Sequence, residues 1–308
     1  MNEQLFDVII IGGGPAGLTA GLYTSRAKLN SLLIENMLVG GQVMTTTKVE
    51  NYPGFPGGID GPELVARFHE HCQEFGLQIV NGEARQLRDE GSFKVVTVDD
   101  KEFKARAVIV TTGAEPRKLG IPGEQKLIGR GVSYCATCDG AFFRDVPVAV
   151  IGGGDTAAEE ALFLTRFASK VYIIHRRDQL RATKTLQDRI FANDKIEVLW
   201  NALPEEVLGD QKGVNGLRIA DKVSGEKRVL ALEGVFFAIG VIPKARFLAE
   251  VLELNSEGYI LTDAECRTSM PGVFAAGDVR SKLLKQIATA VGDGAVAAIA
   301  IEKYLDEL

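Results

Sequence analysis

Two cysteines three residues apart, Cys135 and Cys138, followed directly by Asp139, are the residues of this chain best suited to chemistry. A Cys-x-x-Cys pair either closes a small redox-active ring or supplies half of a metal site. A structural zinc needs two more thiolates or imidazoles at short spacing. The only histidines are His69, His71 and His175, none of them near the pair in sequence, so no metal site is expected. The pair then reads as a dithiol whose reactive form is the thiolate. When such a disulfide is reduced, one sulfur leaves as a thiolate and a neighbouring group must handle a proton. Asp139 is expected to do this as general acid/base, and the plainer role of a helix-capping carboxylate is compatible with it. Cys72 and Cys266 stand alone.

The elements that must position this pair are announced by a repeat. Asp7-Val8-Ile9-Ile10-Ile11-Gly12-Gly13-Gly14-Pro15-Ala16-Gly17 returns as Pro147-Val148-Ala149-Val150-Ile151-Gly152-Gly153-Gly154-Asp155-Thr156-Ala157, an offset of 140 residues from Gly12 to Gly152. Without a gap, Ser31–Glu35 then matches Val171–His175. Each copy reads as an apolar strand, a glycine turn, a helix and a second apolar strand, which is the βαβ unit that binds dinucleotides. In each, the first glycine permits the tight turn, and the glycine at 14 or 154 lets backbone amides approach a pyrophosphate. The small residue at 17 or 157 lets the helix lie close to the strand. The phosphates would sit at a helix N-terminus, where unpaired N–H groups favour negative charge.

The copies differ at the end of the second strand. Glu35 is placed to accept from a ribose 2′-hydroxyl, so the first unit should hold an adenine dinucleotide with that hydroxyl free. His175-Arg176-Arg177, with Arg181 beyond, stand at the matching place in the second unit. Guanidinium groups bind a 2′-phosphate that a carboxylate would repel, so this unit should hold NADPH.

A length of 308 residues favours two domains. Thr111–Pro116 and Phe236–Pro243 read as matching crossings, with the second unit inserted between them. The expected fold is α/β, with two Rossmann-like dinucleotide-binding domains, the NADPH domain inserted into the first. The boundaries are 1–115 and 246–308 for the first domain and 116–245 for the inserted one. A net charge of −6 argues against nucleic acid or an anionic membrane as the main partner. No apolar run is long enough for a membrane span and no leader-like segment precedes the first strand, so a cytoplasmic address is expected.

Taken together, both glycine loops, Gly40-Gly41-Gln42, Glu50-Asn51-Tyr52-Pro53-Gly54, Cys135-Ala136-Thr137-Cys138-Asp139-Gly140, His175-Arg176-Arg177 and Ala275-Ala276-Gly277-Asp278 resemble the low-molecular-weight thioredoxin reductases, in order and spacing, from Val8 to Leu305. The resemblance implies FAD in the first domain, held by Gly12, Gly13, Gly14, Pro15, Ala16, Gly17, Glu35, Gly41, Gln42, Asn51 and Asp278. Lys285-Gln286-Ile287 matches a flavin-side Arg-Gln-Ala of that family and departs from it at the first and third positions. NADPH would fall to Gly152, Gly154, Asp155, Thr156, His175, Arg176, Arg177 and Arg181. The resemblance also implies a homodimer that passes electrons from NADPH through FAD and the Cys135–Cys138 disulfide to thioredoxin or a similar small dithiol protein.

Nicotinamide and disulfide would have to reach one flavin from one inserted domain. That domain is therefore expected to rotate about the crossings near 113–118 and 240–246. Arg130, Phe142 and Phe143 flank the pair and are candidates for docking the partner. Two other flavoprotein reductases remain as alternatives, one serving a peroxide-reducing system and one linked to ferredoxin. An NADPH-binding sensor without turnover is the alternative from outside the enzymes.

Overall fold

A computed structural model of the chain describes residues 4–46 and 48–308, and the chain divides into two compact units. One unit is formed by the chain up to Glu115 together with Ile242–Leu308, and the other by Pro116–Val241. The sequence reading carried the inserted segment on to 245.

The first unit opens with β1 (Leu5–Ile11), α1 (Pro15–Arg26) and β2 (Ser31–Glu35). It continues through α2 (Gly61–Glu74) and β3 (Gln78–Asn81) into a meander of β4 (Ala84–Asp89), β5 (Lys94–Val98) and β6 (Lys101–Val110). β1 runs parallel between β2 and β6, with Ile11 opposite both Ile34 and Val110. A central parallel strand covered on both faces must be apolar at successive positions, not merely at alternate ones. β1 meets this demand: Val8 and Ile10 enter one core with Leu18 of α1 and Leu64 of α2, while Ile9 and Ile11 enter the opposite core with Leu32 and Val108. Each such side chain contributes about 1.5–3 kcal/mol by leaving water.

The chain leaves this unit through β7 (Ala114–Pro116). The second unit begins with β8 (Val132–Ser133) and the short helix α3 (Ala136–Asp139), followed by β9 (Pro147–Gly152), α4 (Asp155–Leu164) and β10 (Lys170–Ile174). Then come α5 (Lys184–Phe191), β11 (Ile196–Leu199), and a meander of β12 (Ala202–Gly209), β13 (Val214–Asp221) and β14 (Lys227–Leu230), closed by β15 (Gly234–Ala238). The chain returns through β16 (Val241–Pro243), which pairs with β7, and adds β17 (Val273–Ala275) beside β6 and the helix α6 (Ile287–Asp306).

The repeat seen in the sequence is a repeat of topology. The first sheet contains the order β3-β2-β1-β6 and the second contains β11-β10-β9-β15. In both, a glycine loop leaves the carboxyl end of the central strand, the edge at which ligands bind in open α/β sheets. The fold is thus α/β with two dinucleotide-binding domains, as the sequence led one to expect. α6 packs against α1 so closely that a Cβ on Gly294 would lie 2.3 Å from the carbonyl oxygen of Ala16.

Candidate functional site

The first loop shows why its residues are glycines. Gly12 has a φ of +111°, and a Cβ there would lie 2.5 Å from the carbonyl oxygen of Thr111. A Cβ on Gly17 would lie 1.9 Å from the carbonyl oxygen of Gly12. At Gly14 the reason is different, since a Cβ would meet nothing within 4 Å. The missing side chain there leaves open space at the start of α1, where Gly14 is an N-cap without a side-chain cap and Pro15 is the first helical residue. The amide groups of this first turn are free of any cap and are disposed for an anion.

Glu35 accepts from the Gly13 N–H at 2.6 Å and from the Met37 N–H at 2.9 Å. Its carboxylate therefore braces the loop and keeps lone pairs for a further donor. Gly41 approaches from above, with its would-be Cβ 3.5 Å from Gly14 Cα, and opens a 3₁₀ turn that carries Gln42. Ala16 is buried, and a Cβ on Gly277 would come within 2.9 Å of its methyl group.

A second group of expected flavin residues meets at the start of α6. Asn51 Nδ2 donates to Gln286 Oε1 at 2.9 Å, and Gln286 caps α6 in a reciprocal capping box with Thr289. Ile287 is the first residue of that helix, and Lys285 Nζ lies 4.2 Å from the centre of the Tyr259 ring. Asp278 is the notable case. Its Oδ1 is buried without a hydrogen-bond partner among the described residues, 3.5 Å from Lys282 Nζ, and burial pushes its carboxyl up against the pull of Lys282. An orphaned buried acceptor is costly unless a ligand donor completes it. The polyhydroxylated FAD offers such donors, so these residues fit it.

In the second loop a Cβ on Gly152 would lie 2.5 Å from the carbonyl oxygen of Ala238, the counterpart of Thr111. Gly154 again has open space, and Thr156 is exposed in the first turn of α4. His175 differs from its expected part. It is buried, with Nδ1 2.8 Å from the Gly152 carbonyl oxygen and Nε2 2.9 Å from that of Gln179. Both ring nitrogens face backbone carbonyls, so the imidazole supports the loop from beneath. A Cβ on Gly153 would strike that ring at 2.2 Å.

Arg176, Arg177 and Arg181 are exposed, and none of them enters an ion pair among the described residues. Their segment is laced to the glycine loop by Arg181 N–H donating to the Gly153 carbonyl at 2.6 Å. Asp155 Oδ1 accepts from the Thr183 N–H at 2.6 Å, so this carboxylate holds the basic segment in place.

Cys135, at the N-cap of α3, and Cys138, within that helix, are joined in a disulfide. Ser133 braces the turn: its hydroxyl accepts from the Cys135 N–H at 3.1 Å and lies 3.3 Å from the Cys135 carbonyl oxygen. The Thr137 hydroxyl lies 3.4 Å from Cys135 Sγ. Asp139 closes α3 and makes no side-chain cap, so the helix-capping role expected for it is not found. Burial pushes its carboxyl above the usual range, opposed by a hydrogen bond with Ser133. A carboxyl shifted towards neutrality is suited to giving and taking a proton near a thiolate.

Sequence reasoning missed Glu160 of α4. Its Oε1 accepts from the Ala136 N–H, between the two cysteines, at 3.4 Å, and its Oε2 is buried without a hydrogen-bond partner among the described residues. Burial pushes this carboxyl up to about 7. The two residues are 24 apart in sequence, and only the packing of α3 on α4 brings them together.

The other cysteines are unlike the pair. Cys72 and Cys266 are buried thiols, pushed up by burial to about 12 and about 11, which removes them from thiolate chemistry near neutral pH. Of the docking candidates, Arg130 and Phe142 are exposed. Phe143 is half-buried and packs edge-on against Phe236 at 5.1 Å, at the margin of the second unit's core, where Gly234 leaves room for its ring. No helix among the described residues is long and apolar enough to cross a membrane.

Residues 6–294 match the family model described as pyridine nucleotide-disulphide oxidoreductase. The chain is 50% identical over 307 residues to the thioredoxin reductase of Listeria monocytogenes, covering 100% of this chain and 96% of that one. The solved thioredoxin reductase of Streptococcus pyogenes is similar with a TM-score of 0.96 at 46% identity, covering 100% of both chains. That of Lactococcus lactis, in its FR conformation, gives a TM-score of 0.68 at 46% identity, covering 98% of this chain and 100% of that one.

Proposed function

The chain belongs to the pyridine nucleotide-disulphide oxidoreductases, among the thioredoxin reductases, and from that premise we propose which of its residues carry electrons from NADPH to the disulfide of a thioredoxin. The observation that carries the reading is the Cys135–Cys138 disulfide followed directly by the half-buried Asp139, in the same unit as the second glycine loop.

In this reading Gly152, Gly154 and Thr156 receive the pyrophosphate of NADPH, and Arg176, Arg177 and Arg181 take the 2′-phosphate. Asp155 and His175 hold those parts in place. The first loop, Gly12 to Gly17, receives the pyrophosphate of FAD, while Glu35 takes a ribose hydroxyl. Gly41, Gln42, Asn51, Lys285, Gln286 and Ile287 line the remainder, and Asp278 Oδ1 accepts from a hydroxyl. When bound, FAD supplies acceptance of a hydride from nicotinamide and release of an electron pair to a disulfide. Reduction opens the Cys135–Cys138 bond, and Asp139 gives a proton to one sulfur. The other sulfur, as thiolate, attacks the partner's disulfide, and closure of the Cys135–Cys138 ring then releases the reduced partner. Asp139 takes its proton back in that step.

Rotation of the inserted unit about its two crossings belongs to the same proposal. It is supported by the single flavin that two groups on one unit must reach. Two relatives of equal identity with TM-scores of 0.96 and 0.68 support it as well, since sequence distance does not account for the difference. Arg130 and Phe142 are the proposed docking residues, and a homodimer is the proposed assembly.

Anaerobic titration with NADPH should bleach the flavin absorbance, and oxidised thioredoxin should restore it. Bleaching without restoration would refute thioredoxin as the acceptor. NADPH binding without bleaching would leave a sensor in place of an enzyme.

A further inference from the structure

The amide hydrogen bond of Glu160 links a buried carboxyl on α4 to the ring that opens and closes during turnover. We propose that Glu160 is a second proton-holding group of the dithiol site, a positioning residue that couples reduction of the Cys135–Cys138 disulfide to uptake of a proton from solvent. The proposal rests on the reading of that pair as redox-active.

Two independent features lead to it. Glu160 Oε1 accepts from the N–H of Ala136, the residue after Cys135, so the carboxyl is tied to the backbone of the Cys-x-x-Cys turn. Its Oε2 is buried, and no hydrogen-bond donor among the described residues reaches it. A structural carboxylate would be fully hydrogen-bonded or ion-paired at such a place. Glu124 in the same unit shows the contrast: it is buried too, but accepts from the amides of Leu119, Gly120 and Ile121 and from the Tyr134 hydroxyl.

The surroundings of Glu160 supply little positive charge. Glu159 on the same helix adds a like charge, and Asp139 at the end of α3 is a half-buried carboxyl that burial also pushes up. Arg166 lies over the Phe163 ring at 5.1 Å, and Lys184, Asp188 and Arg189 of α5 are exposed. The strands beneath α4 present apolar side chains such as Val148, Val150 and Val171 to this core. The resulting preference for the neutral form puts the carboxyl at about 7, within reach of physiological pH.

The step balances as follows. Two electrons, from NADPH through the flavin or from an external dithiol, break the S–S bond. One sulfur takes a proton and the other remains a thiolate. That new negative charge disfavours a carboxylate beside it, so Glu160 binds a proton. When the pair passes its electrons to the acceptor disulfide and the ring closes, that proton is released.

The test compares wild-type holoenzyme with Glu160→Gln and Glu160→Leu, so that either variant suffices if the other fails to fold. The dithiol–disulfide equilibrium of Cys135 and Cys138 is set against a dithiothreitol buffer from about pH 5.5 to 8.5. Thiols are trapped by alkylation and counted by mass spectrometry. The ratio of wild-type to variant equilibrium constants cancels the buffer's own pH dependence. Below about pH 6 the ratio should be flat, because Glu160 is then neutral like its replacements. Above about pH 7 the wild type should become harder to reduce than the variant, by about tenfold at the alkaline end if the coupling is near one pKa unit. A reversible pair with a flat ratio overturns the proposal alone. A pair that cannot be reduced and reoxidised overturns the redox reading and this proposal with it.

Discussion

Replacing Arg176 and Arg177 together by alanine should separate NADPH from NADH more sharply than any other change in the molecule. Both side chains are exposed and free of ion pairs among the described residues, so their removal breaks no internal contact. Their segment stays anchored through Arg181 N–H to Gly153 at 2.6 Å and Thr183 N–H to Asp155 at 2.6 Å. The loss is therefore the loss of two charge-assisted contacts to a 2′-phosphate. Exposure argues for the lower end of their range, about 1.5 kcal/mol each. The sum of about 3 kcal/mol corresponds to roughly a hundredfold fall in kcat/KM for NADPH. NADH has no 2′-phosphate, and its kcat/KM should change by less than about twofold. Initial rates of NADPH- and NADH-dependent thioredoxin reduction at low ionic strength give both numbers, and added salt should narrow the gap for the wild type. Equal losses with the two nucleotides would refute the assignment of the 2′-phosphate to this segment.

Four other changes have defined outcomes. Cys138→Ser should abolish thioredoxin reduction while NADPH still bleaches the flavin; residual turnover with thioredoxin would remove the pair from the path. Gly154→Val should leave the fold intact, since a Cβ there meets nothing within 4 Å, yet raise the KM for NADPH by tenfold or more; Gly17→Ala should instead lower Tm and FAD content, since its Cβ would lie 1.9 Å from a carbonyl oxygen. Glu160, at about 7 against an ordinary 4.5, keeps its proton longer in the folded protein than in the unfolded chain. Its contribution to stability therefore falls as pH rises from about 4.5 to about 7, by roughly 3 kcal/mol. The Tm advantage of Glu160→Gln over wild type should grow across that window, and a pH-independent difference would contradict the buried, uncompensated state of the carboxyl.

The parts of the site legible in the sequence are those fixed by local geometry. Gly12 and Gly152 announce their turns because no side chain fits against the carbonyls of Thr111 and Ala238. The apolar runs at β1 and β9 announce central parallel strands because both of their faces are covered. Residues recruited across the fold carry no such mark. Glu160 lies in Ala157-Ala158-Glu159-Glu160-Ala161, which reads as an ordinary helix with a charged face, and only the seating of α3 on α4 buries one of the two carboxyls. Phe143 is less exposed than its neighbour for the converse reason. Next to Phe142 it looked equally free, but the alternation of a tight turn sends one ring outward and the other against Phe236.

His175 shows how the repeat can mislead and then inform. Aligned with Glu35, it suggested a direct ligand of the nucleotide. The structure gives the two positions a shared task of a different kind, since each braces its own glycine loop. Glu35 accepts from the Gly13 amide, whereas the His175 ring lies against the Gly152 carbonyl and fills the space beneath Gly153. A carboxylate that holds the loop through an amide can also serve a ribose hydroxyl, because its oxygens retain lone pairs. An imidazole with both nitrogens facing backbone carbonyls has nothing left to offer a phosphate. In the proposed reading the task of recognising the 2′ position passes along the chain to Arg176 and Arg177, whose side chains are exposed. Nucleotide choice in the second unit is on this argument divided between a buried brace and an exposed reader. Swapping the arginines should alter preference without loosening the loop, whereas changing His175 would disturb the binding of either nucleotide.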